Sequence, residues 1–217
     1  MKCKGAIFDM DGLLFDTEKI YQQTWNEIAE EKGIHLPEEF VQTISGTNGD
    51  YMCRVIEKYY KVYDGRKIRD DCMTRVQEKL KVYVPKKTGV DDILQFFKEN
   101  KFHLAVASSS SKEQIESNLK IAGISSCFQA IVSGTEVKKG KPAPDIFLYA
   151  AKKIGCRPEE CYVFEDSCNG IEAGYAAGCK TIMIPDLIAA TEKIKRISYG
   201  IYDTLIEAVN KIKEEVN

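Results

Sequence analysis

A chain of 217 residues is long enough for one sizeable core, or for one core carrying a smaller inserted domain. Its formal net charge is -2, and Lys and Arg are scattered among Asp and Glu without a basic block, which excludes the usual signatures of nucleic-acid and anionic-membrane binding. The longest apolar runs are of strand length, short of the roughly 20 residues that span a bilayer, and MKCKGAIFD shows no signal peptide, so a cytoplasmic protein is expected.

Ala6-Ile7-Phe8 reads as a short, fully apolar strand, with Asp9 and Asp11 directly at its carboxyl end. Desolvated carboxylates destabilise strongly when unpaired, so a buried strand delivering two of them implies something cationic at its tip. Residues two apart in an extended chain point the same way, so Asp9 and Asp11 can share a small pocket while Gly12 lets the chain turn. That geometry suits a hard divalent cation and a carboxylate nucleophile.

Thr17 to Lys32 has helical periodicity, with Tyr21, Trp25, Ile28 and Ala29 on one face and Gly33 as the stop. Leu36-Pro37 restarts a short helix ending near Ser45-Gly46, and Asn48-Gly49-Asp50 can cap another running to about Tyr63. Ile68, Cys72, Val76, Leu80 and Val84 mark one face of a further helix that ends at Pro85. Residues 17–84 show no convincing strand and are expected to form an all-helical insertion, leaving 1–16 and 85–217 as the core domain.

From Gly89 the pattern alternates. Helices are predicted at Val90–Glu99, Lys112–Ala122, Asp145–Ile154, Ile171–Ala177 and Leu205–Glu214. Strands are predicted at His103–Ala107, Ala130–Val132, Tyr162–Phe164 and Lys180–Ile184, with a weak one at Tyr199–Tyr202. Apolar strands alternating with helices imply an α/β, Rossmann-like parallel sheet covered on both faces, with the ligand site beyond the carboxyl ends of the strands. Eight cysteines without a C-x-x-C pair, and only two histidines, His35 and His103, read as free thiols rather than a zinc site.

The strand tips carry the chemistry. The first ends in Asp9 and Asp11, the second in Ser108 to Ser111, the segment after the third holds Gly140-Lys141-Pro142, and the fourth ends in Glu165-Asp166-Ser167. Four carboxylates, a lysine and a hydroxyl-rich helix start on one sheet edge make an inventory for phosphoryl transfer. Blander roles compete. An Asp after a strand often only organises a turn, Glu165-Asp166 can be a helix-start pair, and Lys141 can be a solvated loop lysine. Ser111 with Gln114 fits a capping box, so the later serines are read as structural and Ser108 as functional. Gly134 to Lys141 fails as a P-loop, because five residues rather than four separate the glycines and Pro142 replaces the required Ser or Thr.

The set DMDG, ASSS, GKPAP and FEDS, in this order, resembles the haloacid dehalogenase superfamily of aspartate-nucleophile hydrolases, and within it the group of β-phosphoglucomutase and small sugar-phosphate phosphatases. The resemblance covers essentially the whole chain and places a cap domain at 17–84, hinged near Phe15–Glu18 and Tyr83–Gly89. It implies that Asp9 attacks phosphorus and Asp11 acts as general acid and then base. It also implies that Mg²⁺ is held by Asp9, the main-chain carbonyl of Asp11 and Asp166, with Glu165 assisting. Lys141, Ser108 and the neighbouring amide of Ser109 would bind the phosphoryl oxygens. Tyr21, Thr47 and Asn48 become candidate specificity residues of the cap. By ungapped alignment, Tyr21 and Gly49 stand where the mutase carries a histidine and a phosphate-gripping arginine. A mutase must hold a bisphosphate at both ends, so the expected activity is hydrolysis of a small phosphorylated metabolite, with the mutase as first alternative and a non-catalytic ligand-binding relative, disfavoured by the full set of catalytic residues, as the second. The expected enzyme is a monomer.

Overall fold

The structure, a computed structural model, describes residues 4–44, 47 and 49–216. The chain divides into two compact units, Thr17–Val84, and Met1–Asp16 with Pro85–Asn217.

The first of these is helical: α1 (Thr17–Glu31), α2 (Glu38–Ile44), α3 (Gly49–Tyr60) and α4 (Gly65–Leu80). Its core is aromatic. Trp25 and Tyr60 both meet Phe40 edge-on, at centroid separations of 6.1 and 5.9 Å, and the Tyr60 hydroxyl donates to the Trp25 carbonyl at 2.6 Å. Trp25 is therefore a core residue of this unit. Helix α3 stops at Tyr60, short of the predicted Tyr63, because Lys61 turns left-handed at φ 54° and Val62 N–H bonds back to the Glu57 carbonyl. Asp64 caps α4 by accepting from Arg66 N–H at 3.0 Å. Helix α4 ends four residues before Val84, yet Val84 is buried, so the apolar period runs past the helix that generates it.

The second unit is a six-stranded parallel sheet ordered β3-β2-β1-β4-β5-β6. Its strands are β1 (Gly5–Phe8), β2 (His103–Ser108), β3 (Ala130–Ser133), β4 (Cys161–Glu165), β5 (Lys180–Met183) and β6 (Gly200–Ile201). Helices α5 (Val90–Glu99), α6 (Lys112–Ile121), α7 (Asp145–Lys153), α8 (Cys168–Ala176), α9 (Glu192–Ile197) and α10 (Leu205–Val216) accompany it. This is the expected Rossmann-like α/β architecture.

Strand alternation sends successive β1 side chains to opposite faces, and both faces are apolar. Phe8 stacks on Phe164 at 4.8 Å and meets Phe97 of α5 edge-on, while Ile7 joins Val163, Phe147, Ala150 and Ala151 on the other side. With β1 and β4 in register, Asp9 N–H still donates to the Phe164 carbonyl at 3.0 Å, so the tips of the two strands stay level as they leave the sheet. Helix α8 begins at Cys168, three residues earlier than predicted, because Ser167 caps it by accepting from Gly170 N–H at 3.1 Å. Helix α9 is not among the predicted elements. Its six residues show too little of a face, although Thr191 caps it and Ile194 is fully buried.

Candidate active site

The carboxyl ends of β1, β2 and β4 and the loop after β3 bring together Asp9, Asp11, Ser108, Lys141, Glu165 and Asp166. Asp9 leaves β1 into a loop closed by Leu14 and Phe15 N–H groups, both donating to the Met10 carbonyl. Gly12 makes that turn at φ 82°, and a Cβ there would lie 2.4 Å from an Asp166 carboxylate oxygen, so the close approach of the two loops requires glycine.

Lys141 Nζ lies 2.5 Å from Asp9 Oδ1 and 2.5 Å from Glu165 Oε1, and 3.3 Å from the Ala107 carbonyl. The Lys141 side chain is 9% exposed, so it is the cation of the site rather than a solvated loop lysine. Burial alone would lower the ammonium's pKa, but Asp9 and Glu165 more than offset it and hold it above its ordinary value. Glu165 is buried, and its second oxygen accepts from Ser167 N–H at 2.9 Å and Ser167 Oγ at 2.8 Å. Gly170 leaves room for that carboxylate, since a Cβ there would lie 1.8 Å from Glu165 Cδ.

Asp9, Glu165 and Asp166 each offer a carboxylate oxygen within 4.8 Å of the others. Burial raises Asp9 to about 7 against the pull of Lys141, and burial with the Glu165 charge raises Asp166 to about 8. One ammonium cannot balance three carboxylates, two of them buried and the third half-buried, and an all-oxygen set with excess negative charge fits a hard divalent cation. The donor set therefore suits Mg²⁺ by its chemistry.

Ser108 is buried, and its Oγ accepts from Ser110 N–H at 3.1 Å. Ser109 is exposed. Ser110, read from sequence as structural, instead donates through its hydroxyl to Asp11 Oδ2 at 2.9 Å. Ser111 caps α6 by accepting from Gln114 N–H at 3.3 Å, which is the N-cap half of the predicted capping box. Four serines in a row look alike in sequence, and no spacing rule separates the one that meets Asp11. Lys87 also escapes sequence reasoning. It bonds Asp186 Oδ1 at 2.5 Å and lies 3.7 Å from Asp16 Oδ1, and Asp186 sits beside Asp166 next to Gly12. His103 and His35 are exposed and outside this constellation.

Two of the three cap candidates, Tyr21 and Thr47, are described and belong to the helical unit. Tyr21 is on α1, half-buried, and the Thr47 hydroxyl donates to the Ile44 carbonyl at 2.6 Å. Asn48 lies outside the described residues. Among the described residues, no helix is long and apolar enough to cross a membrane.

Residues 6–184 match the family model described as haloacid dehalogenase-like hydrolase. A Drosophila melanogaster protein named probable pseudouridine-5′-phosphatase is 34% identical over 203 residues, covering 88% of this chain and 86% of its own. The phosphorylated carbohydrates phosphatase of Thermotoga maritima is 31% identical over 183 residues, covering 82% and 83% respectively. The crystal structure of a hydrolase of the same family from Deinococcus radiodurans, with bound phosphate and sodium, superposes with a TM-score of 0.84 at 25% identity, covering 98% of this chain and 96% of that one.

Proposed function

The chain belongs to the haloacid dehalogenase-like hydrolases, and from that premise we propose that it is a Mg²⁺-dependent phosphatase acting on a small phosphorylated metabolite such as a sugar phosphate, through an aspartyl phosphate on Asp9. The observation that carries the reading is the buried Asp9–Lys141–Glu165 ion pair set beside Asp166 at the strand tips. A carboxylate nucleophile, a fixed cation and a carboxylate cluster suited to a metal are what transfer of a phosphoryl group to an aspartate needs.

Asp9 attacks the phosphorus, and the bond from phosphorus to the ester oxygen breaks as Asp11 hands its proton to that oxygen. Asp11, now a carboxylate, takes a proton from water as the water attacks the aspartyl phosphate, releasing phosphate and restoring Asp9. Lys141 holds Asp9 in place and screens its charge from the incoming oxyanion. Ser108, with the amide of Ser109, donates to the phosphoryl oxygens. Asp9, Asp166 and the Asp11 carbonyl would hold the metal with Glu165 assisting, and the bound Mg²⁺ would neutralise phosphoryl oxygens as a Lewis acid. Ser167, by bonding Glu165, keeps that carboxylate turned toward Lys141.

Hydrolysis is favoured over the mutase alternative by Gly49. It opens α3 at φ 56° with no side chain, so that position offers no cation for the second phosphate of a bisphosphate. Substrate choice we assign to Tyr21, Thr47 and Asn48, on the resemblance. Phosphorus NMR with Mg²⁺ and a panel of sugar, polyol and nucleoside phosphates tests the reading. Growth of free phosphate, absent in Asp9→Asn, supports it. Conversion of β-glucose 1-phosphate to glucose 6-phosphate with little free phosphate, when primed with the bisphosphate, would establish the mutase instead.

A further inference from the structure

Three hydrogen bonds fix Ser110 from three directions. Its N–H donates to Ser108 Oγ at 3.1 Å, its carbonyl accepts from Ser133 Oγ at 2.7 Å, and its hydroxyl donates to Asp11 Oδ2 at 2.9 Å. Ser133 is itself fully buried at the end of β3, where Thr135 N–H donates to the same Oγ at 3.2 Å. The main chain of Ser110 is thus clamped between the ends of β2 and β3, and its side chain reaches across to the loop after β1. A hydroxyl on so constrained a backbone has little freedom to spend elsewhere.

We propose that Ser110 is the positioning residue of the general acid–base, an inference that rests on the role given to Asp11 above. With Ser110 as donor, Oδ2 is an acceptor whether the carboxyl is ionised or protonated. The Asp11 carboxyl is thereby held in one orientation through both half-reactions. The hydroxyl is not consumed in either step. Ser133 acts at one remove, by holding the Ser110 carbonyl and so the serine's backbone. General acid help matters most when the leaving group is a poor one, because a departing alkoxide needs a proton and a nitrophenolate does not.

The test compares kcat/KM for glycerol 2-phosphate and 4-nitrophenyl phosphate in the Mg²⁺-loaded protein, with wild type, Ser110→Ala, Ser110→Thr and Ser133→Ala. This ratio reports the steps up to loss of the leaving group, so it isolates the acid half-reaction. Ser110→Ala should lose about tenfold or more in kcat/KM on the alkyl ester and less than about threefold on the nitrophenyl ester. Ser110→Thr, which keeps the hydroxyl, should recover most of the alkyl-ester rate, and Ser133→Ala should show a smaller loss with the same preference. Equal losses on both esters, or no recovery by threonine, would overturn the proposal and make Ser110 a phosphate ligand or a structural residue. A wild-type protein that hydrolyses neither ester would overturn the phosphatase reading, and the proposal with it, which separates the two failures.

Discussion

Replacing Lys141 by methionine keeps the length of the side chain and removes its charge. In the native protein that charge lies 2.5 Å from both Asp9 and Glu165, whose side chains are 10% and 1% exposed. Taking one partner out of a buried pair leaves uncompensated charge and costs about 3–5 kcal/mol. For a chain of this length each kcal/mol lowers the unfolding midpoint by about 2–4 °C, so a fall of roughly 6–20 °C is expected in the absence of divalent cations. The size of the fall depends on pH, with a definite sign. Burial raises Asp9 and Lys141 pulls it back, so removing the lysine lifts the folded-state value further above that of the unfolded chain. The folded protein then binds more protons than the unfolded one, and stability falls as pH rises through that window. The deficit of Lys141→Met should therefore be larger near about pH 8 than near about pH 5.5, where Asp9 escapes its burial cost by protonation. Thermal unfolding followed by circular dichroism in EDTA, for both proteins at both pH values, measures it. An unchanged midpoint, or a larger deficit at the acid end, would refute the view that Lys141 neutralises this cluster.

Mg²⁺ should raise the unfolding midpoint, and by more as pH rises, because protons on Asp9 at about 7 and Asp166 at about 8 compete with the cation. A thermal-shift titration in which the gain shrinks with rising pH would contradict that cluster as the metal site. Gly170→Ala should drive the Glu165 carboxylate off Lys141, costing about 1–3 kcal/mol from overpacking and most of the phosphate-releasing activity. Gly123→Ala is the control. It sits at φ 73° with open space around it, so it should cost about 1 kcal/mol of backbone strain and leave turnover intact.

The fold was legible where side-chain pattern and backbone agree. The Ala6-Ile7-Phe8 run, buried on both faces, has no alternation to confuse it with an amphipathic strand, and the polar residues after it mark the tip. Helix α9 escaped because its burial rests on Ile194 packing on Ile171 and Met183, and six residues carry too weak a period. The aspartates of the first loop could be picked out because local geometry alone brings Asp9 and Asp11 together. The contact between Ser110 and Asp11 spans 99 residues, as does that between Lys87 and Asp186, and both depend on strand order. A sequence shows that four serines end a strand. Which of them meets a carboxylate depends on the neighbouring strand, here β1, and on Ser133 from β3.

In the proposed mechanism Asp9 carries the phosphoryl group, and trapping that group tests it most directly. The protein with Mg²⁺ and a reactive phosphate ester, quenched during turnover and treated with borohydride, should yield homoserine in place of Asp9 by peptide mass spectrometry, since hydride reduces an acyl phosphate. Asp9→Asn should release no phosphate while keeping its thermal unfolding transition. Sustained phosphate release by Asp9→Asn, or a reduced carboxyl at another residue with Asp9 unmodified, would contradict the mechanism directly.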